Sequence, residues 1–131
     1  MTVAPRILLV DDDAAARRMM RRVLERAGYL VEEAGDGRTG LDAALDDRPA
    51  LVLLDLRMPG ELSGFDVARA LRADARTATL PIVVVSASTM HDARSLASSI
   101  GCDAFLEKPV DFDELNGLLA SLAPQGDTTG S

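Results

Sequence analysis

Lysine is almost missing from this chain: of its 14 basic residues only Lys108 is a lysine. A single ammonium in a chain that otherwise uses arginine points to a task for a compact charge on a flexible stem, which a flat guanidinium fork does not perform. Chance within an arginine-biased composition is the competing explanation. Cysteine is equally scarce. Cys102 stands alone, which excludes a disulfide framework and fits a reducing compartment. The one histidine, His91, has no His or Cys partner for a zinc site, and an exposed helix start is its expected place. No apolar run approaches the ~20 residues that cross a bilayer, and residues 1–6 carry no apolar signal core. A cytoplasmic protein is the resulting expectation. Positive charge is also lacking. The net charge of -7 and a pI near 4.6 argue against nucleic-acid binding, which calls for a basic surface.

What is present is an ordinary globular mixture, 47% hydrophobic and 27% charged, in 131 residues. That length predicts one domain, placed here at residues 1–124, followed by a small, polar, flexible tail over 125–131. Three short runs, 7–10, 51–54 and 82–85, are almost wholly Val, Ile and Leu. Such runs fit strands buried on both faces. Two further strands, 30–34 and 104–107, carry charge and are expected at sheet edges, where charge is tolerated.

Helical spacing fills the intervals. Ala16, Met19, Met20, Val23, Leu24 and Ala27 recur at the helical period and predict a helix over 14–27 with those residues on its core face, stopped by Gly28. A weak helix over 38–46 contains Gly40. Others are expected over 64–73, over 90–100 with Gly101 as its stop, and from Asp111 to Leu122. Asp111 and Glu114 suggest a capping box, Phe112, Leu115, Leu118, Leu119 and Leu122 the buried face, and Pro124 the end. Five strands alternating with five helices make a doubly wound α/β fold. With the apolar strands central and the charged ones at the edges, the parallel sheet has the order 2-1-3-4-5, flavodoxin-like, with helices on both faces.

The central strands all end in polar residues: Asp11, Asp12 and Asp13 after the first, Asp55 after the third, Ser86 after the fourth. Strand carboxyl ends of an open parallel sheet line one crevice, so Asp11, Asp12 and Asp55 should crowd together there. Carboxylates that close repel, and a hard divalent cation removes the conflict. Mg2+ fits best, because it uses one or two carboxylates alongside waters and phosphate oxygens. Asp55, at the end of the middle strand, is placed to act as a nucleophile toward phosphorus and form an aspartyl phosphate. Lys108 and the metal would share the charge of the transferred group, and the Ser86 hydroxyl could bond one of its oxygens. Asp13 is read as a helix cap.

Each piece is weak alone; the conjunction is not. Leu8-Leu9-Val10-Asp11-Asp12, Leu54-Asp55-Leu56-Arg57-Met58-Pro59-Gly60, Val85-Ser86-Ala87 and Phe105-Leu106-Glu107-Lys108-Pro109 resemble, in order and register over roughly residues 6–122, a response-regulator receiver domain of two-component signalling. The resemblance implies that Asp55 is the phosphoacceptor for a sensor histidine kinase or histidine phosphotransfer protein. It implies that Asp11, Asp12, Asp55 and the backbone carbonyl of Arg57 hold Mg2+. It further implies that Ser86 and Phe105 form a switch, that Lys108 binds the phosphoryl group, and that the Lys108-Pro109 bond is cis. Output is expected through residues 90–115 to a protein partner, from a monomer or weak homodimer, without nucleic acid or membrane. Such a domain is not a turnover enzyme. One departure stands out: from Pro59 to Gly64 the loop is one residue longer than the family pattern, which bears on partner fit.

Two other readings remain open at this stage. Asp11-x-Asp13 resembles the start of a haloacid-dehalogenase-type phosphohydrolase, although Ala15 stands where that family has Thr. A receiver-like module that is never phosphorylated is the second. Arg17, Arg18, Arg21, Arg22 and Arg26 read as a solvated helix face, with Arg21 and Glu25 as an i,i+4 pair, and alternatively as a surface for an acidic partner. Cys102 reads as a small buried residue. Whether the chain acts by itself or is a piece of a longer protein is left open.

Overall fold

The computed structural model of the chain describes residues 4–58, 60–87, 95 and 98–123. Five strands, β1 (Arg6–Val10), β2 (Leu30–Ala34), β3 (Leu51–Asp55), β4 (Ile82–Ser86) and β5 (Ala104–Glu107), form one sheet of order β2-β1-β3-β4-β5, parallel at every pairing. Among the described residues four helices accompany them: α1 (Ala14–Arg26), α2 (Gly37–Asp46), α3 (Gly64–Ala73) and α4 (Phe112–Leu122). The helix expected over 90–100 falls mostly outside the described residues; positions 95, 98 and 99 are helical. His91, Pro59, Pro124 and the tail 125–131 also lie outside them.

The sheet is sandwiched because its central strands are apolar on both faces. Successive side chains of a strand point to opposite sides. Leu8 and Val10 of β1, with Val52 and Leu54 of β3, therefore pack on Leu41 and Ala44 of α2 and Val67, Ala68 and Leu71 of α3. Ile7 and Leu9, with Leu51 and Leu53, pack on Leu24 of α1 and Leu115 and Leu119 of α4. β2 is an edge strand, with Leu30 exposed, as its charge suggested.

Local signals set the helix ends. The Asp13 carboxylate accepts hydrogen bonds from the Ala15 and Ala16 N–H groups and starts α1, and Gly28 follows its end with φ 99°. Asp36 caps α2 through the Thr39 N–H. A full capping box closes the start of α3, where Ser63 and Asp66 bond each other's backbone. At α4 the Asp111 carboxylate accepts from the Asp113 and Glu114 N–H groups. The expected box there shows only that half.

Two expectations about buried faces need correction. Met19, placed on the core face of α1 by its spacing, is 59% exposed, and only Leu24 of that helix is fully buried. Phe112, assigned to the buried face of α4, is also exposed at 37%. The reason is common to both. Both side chains line the cavity that opens between α1 and the segment 108–112 at the sheet rim, so they border open space instead of the core.

Candidate functional site

The chain direction of the strands brings four distant segments to one rim. β1 delivers Asp11, β3 ends in Asp55, β4 ends in Ser86, and Lys108 follows β5 directly. Parallel register puts Leu54 beside Val10, Asp55 beside Val85, and Glu107 beside Ser86. Asp11 and Asp55 are each 6% exposed, and Ser86 is fully buried. One carboxylate oxygen from each of Asp11, Asp12 and Asp55 lies within 4.8 Å of the others.

The carboxylates are aimed by their own neighbours. Asp55 Oδ1 accepts the Arg57 N–H at 3.0 Å, and Asp11 Oδ1 accepts the Asp13 N–H at 2.9 Å. This leaves the other oxygens turned toward Lys108, whose Nζ donates to Asp55 Oδ2 at 3.3 Å and Asp11 Oδ2 at 3.2 Å. The lysine is fixed in turn by its backbone N–H, which donates to the Ser86 carbonyl at 2.8 Å, and the Lys108-Pro109 peptide is cis. Charge at the site is balanced incompletely. Burial pushes the Asp55 carboxyl above its ordinary range and Asp11 adds to this, while the Arg57 N–H and Lys108 pull it back. For Lys108, burial alone would lower the ammonium, but Asp55 and Asp11 together hold it above its usual value. Two carboxylates, a third at the surface and one ammonium leave a net negative pocket with oxygen donors, which can hold a hard cation.

Gly64 defines the floor. A Cβ there would sit 2.2 Å from the Asp55 carbonyl oxygen and 2.6 Å from the Leu56 Cα. The start of α3 thus rests directly on the backbone that carries Asp55, with the Gly64 N–H donating to the Leu56 carbonyl. Beside the carboxylates opens a largely apolar cavity of about 340 Å³, with Met19, Met20, Val110 and Phe112 along its wall. Phe105 pairs with Val84 in the sheet and packs, partly buried, against the core cluster containing Ile82.

Asp11, Asp12, Asp55 and Lys108 are therefore together, with Ser86 one strand away from Asp55 and Arg57 bonded to it. Asp13 is spent on capping α1, which removes the acid that a haloacid-dehalogenase-type site needs. Spacing along α1 did not reveal Arg17. Its guanidinium leaves the solvated face and donates to the Asp11 carbonyl at 2.6 Å and to Glu33 at 3.1 Å. Arg21 forms the expected pair with Glu25 and a second with Glu33.

The chain is similar to known proteins in sequence and in fold. The response regulator receiver domain family matches residues 7–120. The chain is 43% identical over 117 residues to the response regulator MprA of Mycolicibacterium vanbaalenii, covering 89% of this chain and 49% of that protein. It is 37% identical over 123 residues to the DNA-binding dual master transcriptional regulator RpaA of Synechocystis, covering 94% and 51%. The chain thus spans about half the length of these curated relatives. Among solved structures, the receiver domain of the Pseudomonas aeruginosa sensor histidine kinase PA1611 carries a magnesium ion in its active-site cleft. It superposes with a TM-score of 0.84 at 28% identity, over 92% of this chain and 98% of that one. Motif order, sheet order and family match agree, and the chain belongs to the response regulator receiver domains of two-component signalling, whose members act as phosphoacceptors.

Proposed function

We propose that this chain takes a phosphoryl group onto Asp55 from the phosphohistidine of a sensor kinase or a histidine phosphotransfer protein. The observation that carries the reading is the convergence of the Lys108 ammonium on Asp55 and Asp11 from the far end of the chain. An ionised Asp55 oxygen attacks phosphorus. The P–N bond to the donor imidazole breaks, and its electron pair stays on the ring nitrogen, which takes a proton from solvent. The nucleophile needs no general base. In this reading Lys108 exchanges a carboxylate contact for a phosphoryl oxygen, and the Ser86 hydroxyl meets a second one.

The donor set suits Mg2+: hard oxygen ligands clustered within 4.8 Å, two of them buried and only partly neutralised by Lys108. Asp11, Asp12, Asp55 and the Arg57 carbonyl would hold it. Bound there, Mg2+ supplies positive charge to the phosphoryl oxygens. The product is a stoichiometric signal, not a turnover product. The new dianion favours arrangements in which Ser86 and Phe105 have moved toward the site, and it alters the surface of residues 90–115 for a protein partner. Part of that stretch, 90–94 and 96–97, lies outside the described residues. The acidic net charge supports a protein partner over nucleic acid for this stretch of chain. No helix among the described residues is long and apolar enough to cross a membrane. As part of this proposal the domain works in the cytoplasm, as a monomer or weak homodimer.

The test is phosphorylation by acetyl phosphate with and without Mg2+, read by intact mass. The parent is expected to gain one phosphoryl group only with the metal, and Asp55→Asn none. Equal labelling of the two proteins would overturn the assignment.

A further inference from the structure

Arg17 is the one arginine of α1 that turns its head group inward to the acidic rim. Its Nη1 donates to the Asp11 carbonyl at 2.6 Å, and its Nε pairs with Glu33 Oε1 at 3.1 Å. Only 19% of the side chain is exposed. Glu33 is itself paired from the other side with Arg21 Nη1 at 2.8 Å. The bare Gly35 leaves it room: a Cβ there would come within 3.2 Å of Nη1.

The carbonyl that Arg17 grips belongs to the peptide leading into Asp12. The N–H of Asp11 is already fixed by the Ala34 carbonyl at 3.1 Å. Asp11 is thus held at its N–H by β2 and at its carbonyl by α1, and the direction in which Asp12 leaves the strand is set between them. Asp12 is exposed, yet its carboxylate stands with Asp11 and Asp55 in the cluster. Among the described residues no side-chain hydrogen bond or ion pair holds the Asp12 carboxylate.

We propose that Arg17, braced by Glu33, is a positioning residue that sets the Asp11-Asp12 peptide so that both carboxylates face one cation. This rests on the reading of the rim as a Mg2+ site. The proposal makes an unusual demand of sign. Arg17 is a positive charge beside a cation site, so by attraction and repulsion alone its removal should tighten Mg2+ binding. If it positions the ligands, its removal weakens binding instead, as loss of an outer-shell partner does, by about 10-fold or more.

The experiment is calorimetric titration of the full chain with Mg2+, alongside urea denaturation to confirm that each variant is folded. The variants are Arg17→Met, which keeps the stem, Arg17→Lys and Glu33→Gln. Expected are a Mg2+ Kd raised about 10-fold in Arg17→Met, partial recovery in Arg17→Lys, whose single ammonium can serve the carbonyl but not Glu33 as well, and an intermediate rise in Glu33→Gln. An unchanged or lower Kd in a folded Arg17→Met, with the parent binding Mg2+, would overturn the positioning role alone. A parent that binds no Mg2+ would overturn the site reading and this inference with it. Loss of stability with an unchanged Kd would make Arg17 a structural tie only and also overturn the proposal.

Discussion

A single methyl group added at Gly64 should damage both the fold and the site. The added Cβ would lie 2.2 Å from the Asp55 carbonyl oxygen, 2.6 Å from the Leu56 Cα and 2.9 Å from the Asp55 carbonyl carbon. Ordinary contact begins near 3.4 Å, so these atoms must retreat by about 0.5 to 1.2 Å, the carbonyl oxygen most. All three are backbone, and no rotamer change can relieve them. Either α3 lifts from the sheet, straining the Gly64 N–H to Leu56 carbonyl bond, or the end of β3 shifts and carries Asp55 with it. Overpacking of this kind costs about 1–3 kcal/mol. With a urea dependence of about 2 kcal/mol per M, a loss of about 2 kcal/mol lowers the unfolding midpoint by about 1 M. Gly117→Ala is the control. Gly117 lies inside α4 with nothing within 4 Å of its would-be Cβ. Alanine there should stabilise by about 0.5–1 kcal/mol through helix propensity. The same substitution at two glycines is therefore expected to move the midpoint in opposite directions. A Gly64→Ala protein within about 0.5 kcal/mol of the parent would refute the close approach of α3 to the Asp55 backbone.

Leu24 is the only fully buried side chain of α1, and Leu24→Ala should cost about 2–5 kcal/mol in chemical denaturation; a smaller loss would mean that α1 is anchored elsewhere. Ser63→Ala removes the cap of α3 and should cost about 1 kcal/mol, with Asp66→Ala showing a comparable loss because the two form one box. Burial pushes the Cys102 thiol up to about 11 from an ordinary value of 9.0. Its neutral form is the one folding favours. That contribution is complete below pH 9.0 and is lost as the pH rises through about 11. Iodoacetamide should accordingly react slowly with the native protein at pH 8 and much faster once urea unfolds it, and equal rates would contradict the burial.

Strand identity and sheet order were legible because the central strands are apolar on both faces and the edge strands are not, a contrast that one sequence displays in full. The acid cluster and Lys108 followed from strand ends meeting at one rim. What spacing could not show was how the helix ends sit. Met19 fits the helical period of the core face, yet the period says nothing about what that face meets at a given turn, and here Met19 meets the cavity beside the carboxylates. Arg17 was hidden for the opposite reason. It falls on the polar face, and only the three-dimensional path from β1 into α1 brings its guanidinium back onto the Asp11 carbonyl. Gly40 read as a weakness in α2; its Cα packs against Val10, where a Cβ would come within 2.8 Å of a methyl group. The box expected at Asp111 and Glu114 shows that a motif supplies one bond more readily than its reciprocal partner.

The central claim is that the buried carboxylate at the end of the middle strand, and no other acid of the cluster, receives the phosphoryl group. Acetyl phosphate treatment with Mg2+, followed by borohydride reduction and peptide sequencing by tandem mass spectrometry, reads this directly. The account predicts homoserine at position 55 and intact aspartate at 11, 12 and 13. Homoserine at Asp11 or Asp12, with Asp55 unmodified, would contradict it.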